Sequence, residues 1–185
     1  MGNFYVNFSV RGADQKSVAN CLWSANRKAY VAPAANNVTM FYEEESDSQD
    51  QSAIEEVACR VSESLELPVF VVLNHDDSIL VYWLYDKGEL VDSYDSAPGL
   101  LDGEKNPPDG GDAQALCKAF GVSGNLKKVR DILTTNRYTF AMDRHLDLAS
   151  ALSLGLPHDY VLTGYRSIEH GQRPEGIPGE LVRIE

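Results

Sequence analysis

The sequence predicts a mixed α/β fold, and three stretches carry that prediction. Pro68 to Asp95 reads as three short strands joined by two turns. Upstream, hydrophobic periodicities of two and of about 3.6 residues alternate in the order β-α-β-β-α-β. Downstream, a segment rich in proline and glycine precedes three helical patterns.

Phe4 to Val10 alternates strictly, with Phe4, Val6, Phe8 and Val10 on one face and Tyr5, Asn7 and Ser9 on the other. That is a strand with one face in a core. Gly12 ends it, and Asp14 is placed to cap a helix reaching about Asn26, with Val18, Cys21, Leu22 and Ala25 inward. Ala29–Ala32 is a strand stopped by Pro33. Asn36-Asn37 turns the chain into a third strand, Val38–Glu43, in which Val38, Met40 and Tyr42 share a face. The acidic, polar run 43–52 feeds a helix whose stripe is Ile54, Val57, Ala58, Val61 and Leu65, and Pro68 leads out of it.

Val69–Leu73 is apolar throughout, as in a strand covered on both sides. Asn74 to Ser78 is a turn by composition. Ile79–Tyr85 is β-branched and aromatic, with Ile79, Val81 and Trp83 on one face and Leu80, Tyr82 and Leu84 on the other. Asp86-Lys87-Gly88 fits a three-residue hairpin loop. That loop sets Tyr85 opposite Glu89, Trp83 opposite Val91 and Tyr82 opposite Asp92. Trp83 and Tyr82 are then buried on opposite faces of an interior strand.

The first four strands and two helices have the order of a split βαβ, or ferredoxin-like, unit. The meander extends it, for a spatial strand order of 6-5-4-1-3-2 with both helices on one face. Residues 1–95 form this core, 96–111 a loop, and 112–185 a helical layer on the same core. In that layer Asp112 caps Ala113–Phe120 and Gly121 stops it. Asn125 or Ser123 caps Leu126–Thr134. Thr139 caps Phe140–Leu154, which carries His145 on its apolar stripe, and Gly155 ends it. Tyr160–Tyr165 reads as a short strand or extended segment. The meander's second face needs these helices as its cover. They are expected to stop short of the first strand and leave a partly polar groove lined by Tyr5, Asn7 and Ser9. A homodimer filling that space is the alternative.

The chain has 185 residues and a net charge of −12. Residues 41–112 hold nineteen acidic and three basic residues. Such a field repels phosphate backbones and anionic lipid and attracts basic partners or cations. Nucleic acid and membrane are therefore not expected partners, and no segment has the roughly 20 apolar residues of a span. The amino terminus lacks a basic start and a long apolar run, so a cytoplasmic location is expected. Cys21, Cys59 and Cys117 lie far apart on separate helices, a spacing that predicts reduced thiols rather than disulfides or a metal knuckle.

The candidate site is a rim formed by His75, Asp76, Asp77, Asp92, Tyr94 and Asp95. Carboxylates around one imidazole suit a cationic ligand, a divalent ion or acid–base work. Turn chemistry explains the same aspartates without a ligand. Trp83, Tyr82, Tyr85 and Tyr94 form an aromatic cluster that reads as core, or as a surface for a cation. No phosphate loop, calcium loop, zinc spacing or serine-hydrolase elbow is present, and neither a cofactor nor a metal is assigned. The favoured expectation is a non-enzymatic binding or regulatory module that docks a basic protein or cationic ligand on its acidic middle. The alternative is a cation-assisted, hydrolase-like enzyme built around His75. At HDDSILVYWLYDKGELVDSYDSAPG and GGDAQALCKAFG the chain resembles a group of bacterial proteins without assigned function. That likeness implies a bacterial, cytoplasmic origin and transfers no functional residue.

Overall fold

The computed structural model describes residues 2–185. Eight strands form one open antiparallel sheet: β1 (Phe4–Arg11), β2 (Ala29–Val31), β3 (Val38–Glu43), β4 (Val69–His75), β5 (Ile79–Asp86), β6 (Glu89–Asp95), β7 (Asp109–Gly110) and β8 (Val182–Ile184). Their spatial order is β7-β6-β5-β4-β1-β3-β2-β8. The inner six strands lie in the order read from the sequence. The short edge strands were not foreseen: β7 lies within the stretch read as loop, and β8 within the turn-rich tail.

Helices cover both sides. On one face lie α1 (Gln15–Ser24) and α2 (Gln51–Leu65), packed on Val6, Phe8, Val10, Phe41, Val71 and Trp83. Phe8 and Phe41, paired across β1 and β3, stack with ring centroids 4.4 Å apart. On the other face lie α3 (Ala113–Phe120), α4 (Leu126–Thr134) and α5 (Ala141–Ala151), over Phe70, Val72, Leu80, Tyr82 and Leu84. The short helices α6 (His158–Val161) and α7 (Tyr165–Glu169) continue this layer over Tyr30, Met40 and Tyr42. Among the described residues no helix is long and apolar enough to cross a membrane.

Local chemistry explains the helix starts. Asp14 accepts from Ser17 N at 2.7 Å, Asp50 from Ala53 N at 2.9 Å, and Asp112 from Gln114 N at 2.7 Å. Each satisfies a donor that has no partner inside its helix. The fifth helix differs from expectation. Thr139 does not cap it; the Asp77 carbonyl accepts from Ala141 N at 2.7 Å, so the β4–β5 turn closes the helix end. Asn125 precedes α4 but gives its side-chain amide to the Ala151 carbonyl at 2.7 Å instead of capping.

Two further expectations are corrected. The β5–β6 hairpin has a two-residue turn, Lys87-Gly88, with φ of 53° and 82°. Positive φ at both positions is what a tight hairpin of right-twisted strands requires. Asp86 then pairs with Glu89, Tyr85 with Leu90, Leu84 with Asp92 and Tyr82 with Tyr94, with a bulge between Leu84 and Tyr85. The segment 160–165 is not a strand. Val161, Tyr165 and Ile168 are buried at helical spacing, and Gly164 separates two short helices. Only glycine fits at the break: a Cβ on Gly164 would overlap Asp47 Oδ1 and lie 3.0 Å from Tyr5 Cβ.

β5 is interior, with Tyr82 0% and Trp83 6% exposed on opposite faces. The three cysteines are free thiols, though only Cys117 is fully buried.

Gly164→Ala should destabilise the protein by about 1–3 kcal/mol, the cost of overpacking a close approach. Urea unfolding measures it; a change near zero would show slack between β1 and the α6–α7 layer.

Candidate functional site

The structure disperses the acidic rim. His75 ends β4, and its Nδ1 lies 2.7 Å from Gln49 Oε1 while Phe4 packs edge-on against the ring at 4.9 Å. Asp76 and Asp77 form the β4–β5 turn with φ of 52° and 53°. Asp76 accepts from Gly2 N at 2.9 Å. Asp77 accepts from Asn3 N at 3.1 Å and from Asn74 Nδ2 at 2.9 Å. Asp95 accepts from Ala97 N at 2.8 Å. These carboxylates tie the amino-terminal residues and a loop to the sheet.

Asp92 and Tyr94 are not on that rim. The two-residue hairpin and the bulge beside it together shift the register by two residues, so Asp92 lies opposite Leu84, five positions along β5 from Ile79. Its Oδ2 accepts from Tyr82 Oη at 2.6 Å and from Asp112 N at 2.8 Å. Burial and the Asp92 carboxylate together push the Tyr82 phenol far up. Among the described residues no three His, Cys, Asp or Glu side chains are grouped so as to hold a metal ion.

The expected polar groove is filled. Tyr5, Asn7 and Ser9 are all buried. Asn7 donates to the Val161 and Thr163 carbonyls at 2.7 and 3.1 Å. Tyr5 Oη lies 3.0 Å from His145 Nδ1. Burial lowers the His145 pKa to about 3, so the imidazole is neutral at physiological pH. The expected aromatic cluster is split between the two faces of the sheet, Trp83 and Tyr85 in one core and Tyr82 and Tyr94 in the other, and the cation that Tyr94 meets is internal. Arg144 is buried, with its guanidinium 4.8 Å from the Tyr138 ring and 5.7 Å from the Tyr94 ring. It donates to Tyr94 Oη and to the Ile132, Leu133 and Thr135 carbonyls at the end of α4. A cation there meets the negative end of the helix dipole.

A cleft of about 770 Å³ lies open between α3 and the ends of β4–β6. Its floor is Pro68, Leu84 and Val91, and Leu126 closes one side. Ala115 and Ala119 line it from α3, and their short side chains leave its space unfilled. Asp86, Asp112 and Lys118 supply charge at the mouth. Asp112 caps α3, whereas Asp86 is exposed beside the hairpin turn. Burial raises the Cys117 pKa, which keeps that lining thiol protonated. No histidine lines the cleft. The sequence reading missed this site. Its signal was the adjacent apolar pair Leu90-Val91 in the last strand of the meander, followed by a helix with alanines four apart.

No family model, curated protein or solved structure matches the chain.

His145 supplies a pH prediction. Its pKa is depressed in the folded state and near 6.5 unfolded, so the unfolded chain binds the extra proton between these values. Stability should therefore fall as pH drops below 6.5, by about 2 kcal/mol at pH 5 from this group. His145→Gln, compared with wild type by urea titration at pH 7 and pH 5, should remove that increment. An unchanged increment would mean the imidazole is not held neutral.

Proposed function

We propose that the protein is a non-catalytic binding module that docks a basic segment of a partner protein at the β5–β6 end of the sheet. The observation that carries this reading is the cleft beside α3, apolar on its floor and acidic at its mouth. Asp86, Glu89 and Asp92 lie on the hairpin, Asp112 begins α3, and Glu63 packs against Gly88 of the turn. Lys87 and Lys118 oppose them, so the local balance stays negative. Exposed carboxylates beside an apolar floor suit an extended segment that mixes aliphatic and cationic side chains. Catalysis is disfavoured because the acid–base groups are engaged elsewhere: His145 is buried and neutral, and His75 is paired with Gln49.

The reading also takes the chain up to Asp95 as a ferredoxin-like core extended by the meander. Its support is the inner strand order β4-β1-β3-β2 with α1 and α2 on one face. Such sheets serve many functions, so the fold adds no weight to the docking reading.

A labelled peptide of alternating leucine and arginine tests the docking reading by fluorescence anisotropy. It should bind saturably and more weakly as salt rises, while the leucine–glutamate counterpart should not bind. Asp86→Lys combined with Glu89→Lys should weaken binding about tenfold or more. Glu44→Lys combined with Glu185→Lys, an equal charge change just after β3 and β8, should leave it within about twofold. Equal binding of both peptides, or equal loss in both variants, would overturn the reading.

A further inference from the structure

We infer that the basic segment binds as an added strand on the outer edge of β6, over Glu89–Asp92, with alternate side chains entering the cleft. This rests on the docking reading above and specifies its geometry. The first support is the sheet edge. β7 pairs with β6 only at Tyr94 and Asp95, and Gly111 N donates to the Ser93 carbonyl at 2.9 Å before the chain leaves into α3. From Glu89 to Asp92 no strand lies on the outer side of β6 among the described residues. Such an edge leaves main-chain donors and acceptors free for one more strand, which must follow the bulge that leaves Val91 without a partner on β5.

The second support is apolar. Leu90 and Val91 are 51% and 50% exposed, adjacent, and on this edge. Val91 also lines the cleft, so edge and cleft are one continuous surface. Side chains of an extended segment alternate between two faces. One set would enter the cleft over Leu84 and Val91, and the other would face solvent beside Leu90. Four residues of edge span about 13 Å, enough for a short strand.

Charge selects the occupant. A second copy pairing through the same edge would bring Asp86, Glu89 and Asp92 of both chains together. Like charges facing across strands are destabilising. A basic segment meets the same carboxylates with opposite charge. The edge thus repels its own copy and accepts a cationic strand.

The test uses the leucine–arginine peptide and two versions of it, N-methylated at every leucine or at every arginine. Successive N–H groups of a strand point to opposite edges, so only one version loses the donors that face β6. One should therefore weaken about tenfold or more and the other much less. Amide exchange at Glu89–Ser93 should slow when the unmodified peptide is bound. Equal effects of the two methylations, with unchanged exchange at β6, would overturn strand addition while the charge-dependent docking stood. Failure of the unmodified peptide to bind would overturn both. Sedimentation showing a wild-type dimer that Asp86→Lys or Glu89→Lys strengthens would assign the edge to a second copy and overturn the choice of occupant.

Discussion

A sheet that is apolar on both faces must be covered twice, and most of this structure follows from that requirement. β4 and β5 supply Val71 and Trp83 to one side and Phe70, Val72, Leu80, Tyr82 and Leu84 to the other. The two early helices can cover one face only. The second face therefore commits the chain after the meander to a helical layer, and the stripes of α3, α4 and α5 are cut to match it. Full burial of these faces removes apolar surface at roughly 25 cal/mol per Å². That term is non-directional, so it decides that the layer forms but not where each helix sits.

Position comes from buried polar contacts, which are costly unless their geometry is met. The Asp77 carbonyl closes the start of α5, and Arg144 of the same helix closes the end of α4. Asn7 reaches the carbonyls that link α6 to α7. Asp47 accepts from Arg166 N at 3.0 Å, though burial raises its carboxyl pKa. Each contact joins the first half of the chain, or a preceding helix, to the late layer. A sliding helix would leave a charged or polar group unpaired. This is why residues that looked like an open groove or a ligand cage are internal fasteners.

The sequence made the strands of the core legible because alternation and apolar runs report burial directly. The capping aspartates at 14 and 112 were equally readable, since their role is local. The site was less so. One residue of error in the Asp86–Gly88 turn and one in the bulge that follows it moved Asp92 and Tyr94 onto the wrong rim, because a turn and a bulge fix the register of every pair after them. Asn7 and Arg144 find their partners far along the chain or in backbone carbonyls, which no side-chain pattern records. The two helices at 158–169 were hidden because Gly164 interrupts their period. The cleft is a gap left by Ala115 and Ala119, and a gap has no sequence motif.

The acidic middle of the chain then acquires a structural reason. Many of its carboxylates are occupied: Asp50 and Asp112 cap helices, Asp77 and Asp95 hold turns, and Glu43 with Glu56 pairs Arg27. Asp92 holds Tyr82 and the start of α3, but Asp86 and Glu89, beside the open stretch of β6, have no such task. An exposed edge carrying Leu90 and Val91 is a hazard in a protein that meets its own copies at high concentration. A bulge and a ring of negative charge answer that hazard without covering the edge. Covering it would have taken only a longer β7, and the chain instead turns away after Gly110 into α3. An edge left open but made repulsive to itself keeps its hydrogen-bonding groups available to a strand of opposite charge, and the apolar floor beside it is where such a strand would rest.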